Sequence, residues 1–160
     1  MTKHYSSASL LDRLIDLKPK EKTEKNVFRA YSKTEFQDAV LRDLTWLLNT
    51  RCPISYKILE KREQRSVIDY GIPDFGDLYT QNPDDRAILI EAIEQAIHIY
   101  EPRLKDVRII LDKEQDQRQL MGYIEANLIF NQTVEPLTFP ITIKTQKQWM
   151  ISFNDEKGNK

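Results

Sequence analysis

The sequence predicts an α+β domain in two layers, with two main helices packed on a three- to four-stranded antiparallel sheet and an N-terminal helical extension. Two observations carry this. Apolar residues recur at helical spacing over 32–50 and 82–101, and after Pro102 the period changes from about 3.6 to 2. The 160 residues suffice for one domain with a core of its own. The predicted boundaries are an extension over 1–30, the α+β domain over 31–154 and a polar tail over 155–160.

Residues 8–17 carry Leu10, Leu11, Leu14, Ile15 and Leu17 at helical spacing, in a stretch too short to be stable alone. Lysines and glutamates around Pro19 follow, a solvated linker by composition. Either this amphipathic segment folds back on its own domain, or it docks into a partner's groove. The first main helix opens at Ser32, where Ser32 and Glu35 have the spacing of a capping box. Phe36, Val40, Leu44, Leu47 and Leu48 form its apolar stripe, and it should end near Thr50. Residues 54–69 are ambiguous between helix and loop, and Tyr70-Gly71-Ile72-Pro73-Asp74 reads as a turn. The second helix has Asn82 as its cap, Pro83 at its first position, and Asp84 and Asp85 in its first turn. Pro102 ends it.

Val107, Ile109 and Leu111 then alternate, and residues 112–117 form a polar hairpin loop. Leu120, Gly122, Ile124, Ala126, Leu128 and Phe130 are successive inward positions of a strong strand. Residues 131–136 are expected to turn the chain. Phe139, Ile141 and Ile143 make a third strand, with Pro140 suggesting an edge, and Trp149, Ile151 and Phe153 alternate again. That edge is either a template for another chain or covered by 149–153.

Lys and Arg number 24 against 25 Asp and Glu, a net charge of −1, so no global charge draws the chain to nucleic acid or anionic lipid. No apolar run approaches the roughly 20 residues of a membrane span, and the N-terminus has no export signal, which reads as a cytoplasmic protein without membrane insertion. The lone Cys52 excludes an intrachain disulfide and a cysteine zinc site. His4 and His98 form no helical metal pair, and there is no glycine-rich phosphate loop and no nucleophile elbow. No metal, cofactor or catalytic residue is expected. Acids are too numerous for counting to exclude a carboxylate pair of the glycosidase kind, but Glu125, embedded in an apolar strand, has the parity of the outer face.

Glu101-Pro102-Arg103-Leu104 breaks a local rule, because a glutamate at a helix C-terminus opposes the macrodipole by roughly 0.3–1 kcal/mol. Past the proline the chain is extended, and Glu101 and Arg103 can face the same way. They form either an internal salt bridge or a site for a complementary charged pair.

These residues carry a resemblance. Leu10-Leu11-Asp12-Arg13-Leu14, Arg42-Asp43-Leu44 with Leu47-Leu48-Asn49-Thr50-Arg51, Ser66 to Asp74, and Glu101-Pro102-Arg103-Leu104 resemble, in order, the motifs of the TssE family of type VI secretion baseplate subunits. The last motif is also similar to that of contractile-phage baseplate wedge proteins. Cys52 departs from the pattern, where a second basic residue is expected after Arg51. The resemblance implies a non-enzymatic wedge subunit beside TssF and TssG, in a baseplate containing TssK, that helps start the TssB/TssC sheath. It implies partner contacts at Leu10, Leu11, Leu14, Arg51, Tyr70, Glu101, Arg103, Ile141 and Ile143. An old lysozyme-related label of the family supplies the alternative, a peptidoglycan hydrolase.

Overall fold

The computed structural model describes residues 6–7, 12, 20, 30–75, 82–112, 119–131, 133–144 and 150–153. Strand β1 (Ser6–Ser7) pairs antiparallel with β2 (Ala30–Tyr31), so the extension is tied to the start of the domain. Helix α1 (Lys33–Asn49) opens on the expected capping box. The Ser32 N–H donates to the Glu35 carboxylate at 2.8 Å, and the Glu35 N–H donates to the Ser32 hydroxyl at 3.4 Å. The helix buries Phe36, Ala39, Val40, Leu44, Leu47 and Leu48, and Thr50 caps its end in an extended conformation.

The connection between the main helices holds elements that periodicity does not show. β3 (Arg51–Cys52) pairs in parallel with β4 (Ile72–Pro73), and between them lie a short helix α2 (Tyr56–Leu59) and a single 3₁₀ turn, Val67–Asp69. Helix α3 (Pro83–Tyr100) begins where expected, with the Asp84 N–H donating to the Asn82 side chain at 3.0 Å. It buries Leu89, Ala92, Ile93, Ala96 and Ile97.

β5 (Leu104–Leu111), β6 (Gln119–Phe130), β7 (Thr133–Lys144) and β8 (Met150–Phe153) form one antiparallel sheet in that spatial order. The predicted inward residues of β6 are all buried, and Glu125 lies exposed on the other face. The sheet's inner face meets α1 and α3 in one core, with Phe36 edge-on to Phe130 at 5.3 Å between ring centres. Each fully buried Leu or Ile there contributes about 1.5–3 kcal/mol.

Two expectations are corrected. The turn placed at 131–136 is shorter, since β7 begins at Thr133 and pairs without interruption from Phe130↔Thr133 to Gln119↔Lys144. Asn131, at φ 57°, takes the left-handed conformation a tight hairpin needs, and Pro136 is tolerated because its missing donor position faces away from β6. Second, β7 is not an edge at Ile141 and Ile143. β8 pairs with Ile141–Lys144, and both isoleucines are buried in the core.

Candidate functional site

Glu101 ends α3 because the following proline pushes it out of the helical region, to φ −125° and ψ 70°. Its N–H still donates to the Ile97 carbonyl at 2.8 Å, and its carbonyl accepts from the Leu104 N–H at 3.0 Å. Arg103 is held from the other side, since its carbonyl accepts from the Ile129 N–H of β6 at 2.8 Å. The junction is therefore fixed by backbone before any side chain acts.

Arg103 donates through Nε and Nη2 to both oxygens of Glu101, and through Nη2 to Asp43 Oδ2 at 2.7 Å. Asp43 Oδ1 accepts from Arg42 Nε at 3.1 Å and Nη2 at 2.9 Å. Arg42 reaches on to the buried carboxylate of Asp12, with Nη1–Oδ1 at 2.8 Å and Nη2–Oδ2 at 3.0 Å. An alternating row of charges, Asp12–Arg42–Asp43–Arg103–Glu101, thus ties the extension, α1 and the α3–β5 junction together. Burial works against the charge on Arg103, but its hydrogen bond and proximity to Glu101, and then those to Asp43, outweigh this and raise its pKa. The Asp12 hydrogen bond likewise raises that of Arg42. The cost of Glu101 at a helix C-terminus is offset by the guanidinium it holds. Of the two readings of Glu101 and Arg103, the internal salt bridge is the one present.

The same residues line a pocket of about 280 Å³ bounded by Asp43, Trp46, Leu47, Tyr70, Tyr100, Glu101 and Arg103. Trp46, one helical turn from Arg42, carries that guanidinium over its ring at 5.0 Å. Tyr70 and Tyr100 meet edge-on at 5.2 Å. Burial raises the phenol pKa of both, with Asp43 and Glu101 adding to the rise at Tyr70 and Asp69 at Tyr100.

Tyr70 is positioned by the loop before it. The Asp69 carboxylate is buried and accepts from the Ser66 N–H at 2.9 Å, the Ser66 hydroxyl at 3.1 Å and Arg62. The Tyr100 hydroxyl donates to the Ser66 carbonyl at 2.9 Å. Gly71 then turns the chain at φ 107°, where an added Cβ would collide with the Thr50 carbonyl.

Tyr70, Glu101 and Arg103 are brought together as lining residues of one pocket. Arg51 lies exposed on β3 and does not line it. Ile141 and Ile143 lie inside the sheet core, and Leu10, Leu11 and Leu14 lie outside the described residues. Sequence reasoning missed Asp12, Arg42, Asp43, Trp46 and Tyr100 as members of the site. A signal existed for Trp46, a large aromatic off the apolar stripe of α1. Asp12 and Asp43 stood inside the quoted motifs without an assigned role.

Both edge strands of the sheet carry a helix side chain on their backbone. Ile109 N–H of β5 donates to Glu94 at 2.8 Å. Asn49 holds Ile151 of β8 at both its N–H and its carbonyl, at 3.0 and 2.9 Å. Among the described residues no cluster of His, Cys, Asp and Glu could hold a metal ion, and no helix is long and apolar enough to cross a membrane.

The fold is thus two-layer α+β, and the site is a set of mutually paired charges beside a pocket lined in part by aromatic residues. Residues 34–133 match the family described as baseplate wedge protein gp25, and the chain belongs to that family. It is also similar to a chain in a solved structure described as the baseplate complex from the type VI secretion system, at 16% identity and a TM-score of 0.47, over 73% of this chain and 95% of that one. No curated protein matches it.

Proposed function

We propose that this chain is the TssE-like wedge subunit of a type VI secretion baseplate, a non-enzymatic scaffold that works in the cytoplasm. The family match carries the reading, because residues 34–133 contain all of α1 but its first residue, the 66–74 loop, α3 and the whole Asp43–Arg103–Glu101 junction. In this reading the row of ion pairs keeps the junction rigid, and a rigid surface loses little entropy on assembly. The carboxylates of the junction accept from guanidinium groups, an arrangement suited to fixing geometry.

The partners proposed are TssF and TssG within the wedge, the TssK-containing baseplate, and the TssB/TssC sheath. Leu10, Leu11 and Leu14 are the proposed docking residues of the extension, and Arg51 and Tyr70 those of the helix connection. Glu101 and Arg103 shape the junction surface while paired to each other. A sheath contact through the sheet cannot use the buried side chains of Ile141 and Ile143. The stretch of β7 without a second strand neighbour among the described residues is Thr133–Pro140. There Pro136 and Pro140 remove two donors.

Affinity purification of the tagged full-length protein from its own cells, beside Arg103→Glu and a copy lacking residues 1–20, tests the reading. Recovery of TssF- and TssG-like partners by the intact chain, and their loss with the truncated copy, is expected. Arg103→Glu tests whether the junction geometry is needed for assembly, with circular dichroism reporting whether it still folds. Failure of the folded, intact chain to recover either partner would overturn the proposal.

A further inference from the structure

The pocket beside the ion-paired junction has a chemistry of its own. Its lining includes the aromatic residues Trp46, Tyr70 and Tyr100, and its charged lining is Asp43, Glu101 and Arg103, a surplus of one negative charge. Arg42 and Asp12, the remaining members of the row, cancel each other. Glu101 has both oxygens engaged by Arg103 and is almost wholly buried. Asp43 is different. Its side chain is 23% exposed, and a carboxylate can accept about four hydrogen bonds, more than the three it receives from Arg42 and Arg103. Trp46, itself 46% exposed, has one ring region covered by Arg42 and borders the pocket as well.

Aromatic faces with an adjoining carboxylate attract a cation, because the ring quadrupole and the acid act in the same direction. At about 280 Å³ the pocket falls just below the usual range for small-molecule sites and has room for one long side chain. We infer that the Trp46–Tyr70–Tyr100 pocket receives a basic side chain, arginine or lysine, from a protein partner, with Asp43 as its counter-charge. The rings would flank the cationic head, and Leu47 would pack on the aliphatic stem. The inference builds on the wedge reading, since it specifies what a partner presents to that junction. It makes Trp46 and Tyr70 specificity residues while Arg103 stays a positioning residue.

The test uses the full-length chain and N-acetyl-arginine amide as probe, followed by nuclear magnetic resonance of the Trp46 indole N–H. N-acetyl-norleucine amide and N-acetyl-glutamate amide serve as controls. Saturable shifts at millimolar arginine probe are expected, with little response to either control. Trp46→Leu, at a half-exposed position, should weaken binding about tenfold as read from the Tyr70 ring signals, with circular dichroism checking that it folds. Tyr70→Leu, read at Trp46, is the second variant. An equal response to norleucine would make the pocket a simple apolar slot and overturn the inference. A preference for the glutamate probe would reassign it to anions through Arg103, and no response to any probe would also overturn it. None of these outcomes touches recovery of the wedge partners, so the two proposals fail separately.

Discussion

The β6–β7 hairpin and the polar seam that joins α1, residues 66–72 and the α3–β5 junction lie in one domain but are ordered by different means. The hairpin repeats one local solution, with alternate residues buried in an uninterrupted register. The seam relies on a few contacts, each made by one residue: Asp69 to Ser66 and Arg62, Arg103 to Glu101 and Asp43, and Ile72 N–H to Thr50 O at 2.8 Å. Each region has one glycine that its geometry requires. At Gly122 a Cβ would strike the Ile110 carbonyl of the neighbouring strand, while Gly71 lacks room and also has a positive φ. Repetition spreads stability over many equivalent residues, whereas pinning concentrates it on polar groups that have no substitute.

This contrast can be broken or sharpened by substitution, with unfolding free energies from denaturant titration as the measure. The largest loss is expected in the hairpin core. Ile124→Ala, at a fully buried position, should cost about 4 kcal/mol through lost transfer energy and the cavity left behind. Glu101→Gln comes next at about 3 kcal/mol, because it leaves a largely buried Arg103 with one charged partner instead of two. A loss below 1 kcal/mol there would show that the seam does not depend on its charges. Gly71→Ala should cost about 2 kcal/mol through backbone strain and the clash with Thr50.

Asp69→Asn should show itself through pH. The Ser66 N–H, and then Arg62 and the Ser66 hydroxyl, hold the folded-state pKa of Asp69 below its ordinary value, against the effect of burial. A depressed carboxylate contributes stability that is fully present above the unfolded pKa, near 3.9, and is lost as the pH falls through the folded value. The variant should therefore flatten the acid limb of the stability profile, and an unchanged limb would refute the pinning role. The smallest effect, within about 0.5 kcal/mol, is expected for Val67→Ser, since Val67 is 89% exposed on the turn that Asp69 holds.

The same contrast explains how much could be read in advance. α1, α3 and β6 were legible because burial on a helix or strand follows a short period, and Ser32, Asn82 and Pro102 mark the ends by local chemistry. The β3–β4 pair was not legible, because two residues on each side have no period and the pairing depends on where Gly71 sends the chain. Of the seven residues lining the candidate site, Tyr70, Glu101 and Arg103 were assigned a role in advance as rule-breaking or motif residues, and Leu47 was placed on the apolar stripe of α1. Asp43, Trp46 and Tyr100 had no assigned role as helix residues until packing brought them to the same place.

The sequence by itself determined the α+β class, the two helices and the inward face of the sheet, because the free energy of burying an apolar stripe is already written in its spacing. Only the tertiary structure decided that β8 covers Ile141 and Ile143, that Asp12 closes on Arg42, and that Glu101 is answered by Arg103 and through it Asp43. Those outcomes depend on which elements meet across the fold. A charge far along the chain finds its partner only after the apolar layers have set the distance between them.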